Sequence, residues 1–260
     1  MKYFLDEYIK KPDFDLILTI DCEGYNFDNN LKNNVLNLEK LLKLNSKNNI
    51  YTLLFITPFF AEMMNNLNLI KKIKDDYKVI FGLHIHPNNL PEDIKKFCPF
   101  IKEDENLISY YSYSEQTIII RHCYDYIENL GIGPIEAFRG GYFSIDDNTV
   151  KVLKELTTVK YESHNTYRSE YKLTKKILTP IPVYAQNENN ELRLEYYSTQ
   201  KLSEIFKQGL TENKKLFAIT HSYLLDPLDK HYKRDNIDKS IFERMEVLID
   251  IKNRQKSNVN

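Results

Sequence analysis

The chain has 260 residues, a net charge of -1 and 28% charged side chains, which excludes the basic surface that general nucleic-acid or anionic-membrane binding requires. No apolar run approaches the ~20 residues of a membrane span, and Asp6, Glu7, Lys10 and Lys11 stand where a signal peptide would be apolar. The expectation is a soluble, cytoplasmic protein, and three scattered cysteines (Cys22, Cys98, Cys123) without zinc-site spacing agree with a reducing compartment.

In chain order, the first strand-like run is Leu16 to Ile20, ending on Asp21 and Glu23. Two residues apart on extended backbone, these carboxylates leave the same face. Like charges so placed call for a metal ion, an arginine or open solvent. Val35, Leu38, Leu41 and Leu42 recur at helical spacing. Ile50 to Ile56 is a strand stopped by Pro58, and one helix is expected from about Phe60 to Ile73. Lys78 to His86 is a strand terminated by Pro87, with His84 and His86 on one face.

Residues 90–112 read as a loop with short helices. A helix over Ser114 to Leu130 closes at Gly131. Ile135 to Phe138 is a short strand running into Arg139-Gly140-Gly141-Tyr142, followed by a helix over Asp147 to Leu156 and a strand over Val159 to Glu162. Residues 163–196 look irregular, with Pro180 and Pro182 and room for a β excursion. Leu202, Ile205, Phe206 and Leu210 mark a helix, Leu216 to Thr220 a strand that delivers His221. The last helix opens at the capping pattern Ser240-x-x-Glu243.

Strands alternating with helices imply βαβ units on a parallel sheet. The polar residues gather at C-terminal strand ends, where a (β/α) barrel builds its active site. The expected fold is a single domain over residues 1–260, a deformed (β/α) barrel of about seven units with a polar C-terminal tail. An open doubly wound sheet is the alternative.

Four stretches now stand in order: Thr19-Ile20-Asp21-Cys22-Glu23-Gly24, Gly82-Leu83-His84-Ile85-His86, Phe138-Arg139-Gly140-Gly141-Tyr142 and Ile219-Thr220-His221. In order and spacing they resemble the polysaccharide deacetylase family, the NodB-homology group of carbohydrate esterase family 4. The resemblance implies metal-dependent hydrolysis of an acetamide. It makes Asp21 the general base, Arg139 its partner, the Tyr142 backbone N–H the oxyanion donor and His221 the general acid. Glu23 and His84 become ligands of one divalent ion, zinc before other transition metals. The substrate would be a small molecule or glycan carrying an N-acetyl group.

The sequence departs from the family pattern in three places. The usual second histidine lies four residues on, where this chain has Asn88; His86, from the strand itself, is the expected third ligand, with the Asn88 carbonyl or a weakly binding site as the alternatives. Gly140-Gly141 replace the usual prolines. Glu23 replaces the shorter aspartate. Glu162 either buttresses Arg139 or is a surface acid, and His122, His164 and His231 read as surface or structural. Two other functions stay open: hydrolysis of a small non-sugar amide or ureide, and an inert, glycan-binding descendant.

Overall fold

The computed structural model describes residues 5–6, 16–164, 173–181, 192–212, 216–226 and 239–257; His231 lies outside them. The elements are β1 (Leu16–Cys22), α1 (Leu31–Lys47), β2 (Tyr51–Ile56), α2 (Pro58–Asn66), α3 (Ile70–Asp76), β3 (Val79–Ile85), a short α4 (Glu92–Lys95), α5 (Tyr113–Asn129), β4 (Ile135–Gly140), α6 (Asp147–Leu156), β5 (Tyr161–Glu162), β6 (Thr179–Pro180), α7 (Thr199–Thr211), β7 (Leu216–His221) and α8 (Ile241–Ser257).

The strands form one parallel sheet in the order β6-β5-β4-β3-β2-β1-β7. From β1 to β6 each strand lies beside the next in sequence, and β7 pairs with the other edge of β1, so β6 and β7 are the two edges of the sheet. A doubly wound sheet would instead reverse direction at an internal switch point. The sheet is also strongly rolled. β2 and β3 separate β1 from β4 by about 14 Å on a flat sheet, at about 4.8 Å per strand. Arg139 at the end of β4 nonetheless contacts Asp21 at the end of β1 at 2.5 Å. The architecture is a deformed (β/α) barrel.

The strand period divides the core in two. Ile17, Leu53, Phe55, Ile80, Ala137, Tyr161, Ile181 and Phe217 fill the interior together with Leu5. The alternate residues, such as Leu16, Leu18, Ile20 and Cys22 of β1, pack outward against the helices. Thr19 and Asp21 continue the interior file from Ile17, so that file turns from apolar to polar at the C-terminal end of the barrel.

Two expectations change. The helix expected over Phe60 to Ile73 is two helices, broken at Leu67 to Leu69, because Asn68 adopts a left-handed φ of 54°; asparagine tolerates that conformation better than most residues. Pro58 does not merely end β2. It occupies the first turn of α2, and Thr57 caps that helix by accepting from the Phe60 N–H. Among residues 163–196, the β excursion is real in two places. Thr179–Pro180 pairs with β5. Residues 192–194 dock on the far edge of β7, where the Leu194 N–H donates to the Ile219 carbonyl and the Ile219 N–H to the Leu192 carbonyl, both at 2.9 Å.

Where Phe55 crosses the barrel interior, β3 carries Gly82. A Cβ there would lie 2.7 Å from Phe55 Cδ1 and 3.3 Å from the Ala137 carbonyl. Gly82→Ala should therefore destabilise the fold by about 1–3 kcal/mol, as overpacking does. The check is a lowered urea midpoint at constant m-value; an unchanged midpoint would show that Phe55 can move aside.

Candidate functional site

Arg139 is the centre of the polar end of the barrel. It is 1% exposed, with its guanidinium stacked 4.1 Å from the Phe55 ring centre. Nη1 donates to Asp21 Oδ1 at 2.5 Å, Nη2 to Thr19 Oγ1 at 3.0 Å, and both Nε and Nη2 to Ser163 Oγ. A buried guanidinium is tolerable only when its donors are met in this way. Burial raises the Asp21 carboxyl, but the charge of Arg139, with His84 and His221, outweighs it and holds Asp21 below the usual aspartate range.

Glu23, His84 and His86 meet on the neighbouring wall. Three ligand-type atoms, one from each, lie within 4.8 Å of one another, and all three residues are buried. Glu23 Oε1 is 3.5 Å from His84 Nε2, and Glu23 Oε2 is 3.2 Å from His86 Nε2. The two Nε2 atoms are 3.2 Å apart. The other side of each ring fixes its tautomer. His84 Nδ1 donates to the Arg139 carbonyl at 2.6 Å and His86 Nδ1 to Asn106 Oδ1 at 2.5 Å. Each neutral ring therefore turns a lone pair inward. Two lone pairs and a buried carboxylate, whose Oε2 has no hydrogen-bond donor, require positive charge between them. Ring protonation can supply it: burial raises the Glu23 carboxyl, and the charges of His86 and His84 overcome that and hold it well below the usual range. A divalent cation fits the same place, and two imidazoles with one carboxylate are a donor set suited to zinc.

His221, at the end of β7, faces Asp21 from the other side, Nε2 to Oδ2 3.8 Å. Its Nδ1 donates to Glu195 Oε1 at 2.8 Å. Sequence reasoning missed Glu195, since nothing in the irregular 163–196 stretch marks residues 192–194 as pairing with β7. The same segment brings in Arg193, 3.8 Å from Glu195 and stacked near the Tyr196 and Phe143 rings.

Tyr142 is half exposed and lines the cleft. Its ring lies 5.9 Å from that of His86. Tyr142 (φ 53°) and Phe143 (φ 63°) are both left-handed, a conformation that costs non-glycine residues about 1–3 kcal/mol each and collects at functional sites. The whole arrangement surrounds a cleft of about 230 Å³, lined by Asp21, Glu23, His84, His86, Tyr142 and His221 along with Arg193 and Tyr196. Asn88 is not part of it; its amide donates to the Glu103 carbonyl. Glu162 is buried and bonded to His164 at 2.5 Å, while Ser163, the residue between them, serves Arg139. His122 stacks on Phe97 outside the cleft.

No protein-family model matches the chain, and no curated protein matches its sequence. Solved structures do match in fold. A mutant of BA3943, described as a CE4 family pseudoenzyme with restored enzymatic activity, aligns at 14% identity with a TM-score of 0.53, over 95% of this chain and 65% of its own. The wild-type protein from Bacillus anthracis aligns at 11% identity with a TM-score of 0.54, over 94% and 63%. This chain thus spans about two thirds of the length of those structures. The likeness establishes a fold shared with CE4 family proteins.

Burial raises the Glu195 carboxyl, and the His221 hydrogen bond and charge, with Arg193, overcome it and leave Glu195 below the usual glutamate range. A carboxyl lowered on folding stabilises the fold above its unfolded value of about 4.3. That contribution drains away as pH falls through the folded value. The stability advantage of wild type over Glu195→Gln should therefore shrink as pH falls below about 4.3. Unfolding curves across that range check it, and parallel pH profiles would detach Glu195 from His221.

Proposed function

We propose that this protein is a metal-dependent hydrolase that removes an N-acetyl group from an amino sugar or glycan intermediate. The observation that carries the reading is the convergence of a Glu23/His84/His86 cation site with Asp21–Arg139 on one side and His221–Glu195 on the other. The shared fold with CE4 family proteins supports it.

Glu23, His84 and His86 would hold a divalent ion, which would supply Lewis acidity to the acyl carbonyl and the attacking water. The chain's own residues do the rest. Asp21 takes the proton of the water, and Arg139 keeps it ionised for that task at neutral pH. The Tyr142 backbone N–H donates to the oxygen that gains negative charge. His221 gives a proton to the departing amine from Nε2, while Glu195 holds the ring through Nδ1. An amide is a poor electrophile with a poor leaving group, and this division of labour answers both difficulties. The three cysteines are free, buried thiols, which supports a reducing, cytoplasmic setting.

A second reading is an inert, glycan-binding descendant, and the fold likeness to a pseudoenzyme favours it. The two readings part on metal and turnover. Zinc- or cobalt-loaded protein should release acetate from some N-acetyl-hexosamine derivative within a panel that also contains formamides and ureides. Bound metal with no product across the panel supports the inert reading, and turnover confined to ureides moves the substrate away from sugars.

Asp21→Asn should abolish turnover while zinc content stays near wild type; loss of zinc would reverse the roles given to Asp21 and Glu23. His221→Ala should slow turnover by ~10²–10⁴-fold with the melting temperature unchanged. Near-wild-type rates would remove His221 from proton transfer.

A further inference from the structure

His86 directly follows β3, and a side chain at the end of a strand needs outside help to hold one ring nitrogen on a target. Two features around it supply that help. Asn106 Oδ1 accepts from His86 Nδ1 at 2.5 Å, and a carboxamide oxygen can only accept, so Nδ1 carries a proton and, in the neutral ring, Nε2 is bare. Gly141 lies flat against the same ring. A Cβ on Gly141 would fall 2.3 Å from His86 Nδ1 and 2.4 Å from Cε1, inside any tolerable contact. Gly141 has no left-handed φ, so backbone conformation does not demand glycine there. Space for the imidazole does.

The two features belong to loops that lock together. Ser109, three residues after Asn106, donates its N–H to Ser144 Oγ at 3.1 Å, and the two hydroxyls bond at 2.8 Å. Ile108 packs beside Gly140, 3.4 Å from where its Cβ would stand. A Cβ on Gly140 would also strike the Ser144 carbonyl at 2.0 Å. The loop over residues 106–111 and the Gly140-Gly141 turn thus form one cradle with His86 inside it.

We propose that Asn106 and Gly141 are positioning residues that make His86, just past the end of β3, a metal ligand. Asn106 fixes the tautomer and ring angle, and the missing side chain at Gly141 admits the ring. The glycine at 141 is thereby explained by the imidazole that leans on the turn. The ligand role rests on the metal-site reading above; the tautomer and the steric fit do not.

The test uses the full chain, with zinc stripped and returned. Zinc affinity is measured by competition with a chromogenic chelator for wild type, Asn106→Leu, Asn106→Asp and Gly141→Ala. Long-range ¹H–¹⁵N spectra of the metal-free protein report which nitrogen of neutral His86 holds the proton. Asn106→Leu and Gly141→Ala should weaken zinc binding by about 10–100-fold, the usual effect of losing a group that orients a ligand. Asn106→Asp keeps the acceptor and should bind near wild type. Metal-free wild type should show the proton on Nδ1, and Asn106→Leu should lose that preference. If Gly141→Ala is unstable, adding His86→Ala should restore its melting temperature, because the ring it strikes is gone.

Wild-type zinc affinity in both Asn106→Leu and Gly141→Ala would overturn the proposal, as would a proton on Nε2 in the metal-free wild type. A wild type that binds no zinc would defeat the metal reading alone. The spectra would then decide the positioning claim: Nδ1–H that depends on Asn106 upholds it, and Nε2–H removes it.

Discussion

The contact between Arg139 and Asp21 is the constraint on which the rest of the structure depends. It ties the ends of two strands that two others separate, so it exists only because the sheet rolls. Once made, it fixes several things together. The side chain of Arg139 holds Asp21 ionised, its neighbour contacts engage Thr19 and Ser163, and its carbonyl sets the tautomer of His84. A single residue thus orients the proposed base and one proposed metal ligand. A buried guanidinium costs much to desolvate, and four hydrogen bonds with a stacked phenyl ring offset that cost here.

Glu23 and His221 complete the pattern from β1 and β7, which are adjacent strands. The Glu23 N–H donates to the hydroxyl of Ser222, the residue after His221, at 3.0 Å. The wall that holds the cation ligands and the wall that holds the proposed acid are therefore joined by a main-chain to side-chain hydrogen bond. Rigid elements carry most of the site, as a geometry good to fractions of an ångström requires. The exceptions are the Tyr142 turn and the segment carrying Glu195, where the chain accepts left-handed backbone or a borrowed sheet edge.

Much of this was legible in the sequence, for identifiable reasons. The period of two put Asp21 with Glu23 and His84 with His86 on common faces, and the strand-end positions of Arg139 and His221 placed them at the same rim. Those are local facts, and the strands preserve them. What could not be read depended on partners far along the chain. Glu195 reaches His221 only because residues 192–194 dock on β7, and Asn106 reaches His86 only because a loop without periodicity folds back over the Gly140-Gly141 turn. The break between α2 and α3 was hidden for another reason: apolar spacing continues through it, and only the backbone angle of Asn68 reveals the stop. Glycine at 141 was readable as an oddity, yet its cause, the imidazole ring lying against it, is purely tertiary.

The site stands or falls on whether two imidazoles at the end of β3, His84 and His86, and the Glu23 carboxylate just past β1 bind one metal ion. Zinc K-edge X-ray absorption on the loaded protein addresses it directly. The expected spectrum has two imidazole scatterers with nitrogen at about 2.0–2.1 Å and a carboxylate oxygen at similar distance, with one imidazole lost in His86→Ala and the other in His84→Ala. A spectrum with one imidazole or none, or one that His86→Ala leaves unchanged, would contradict it.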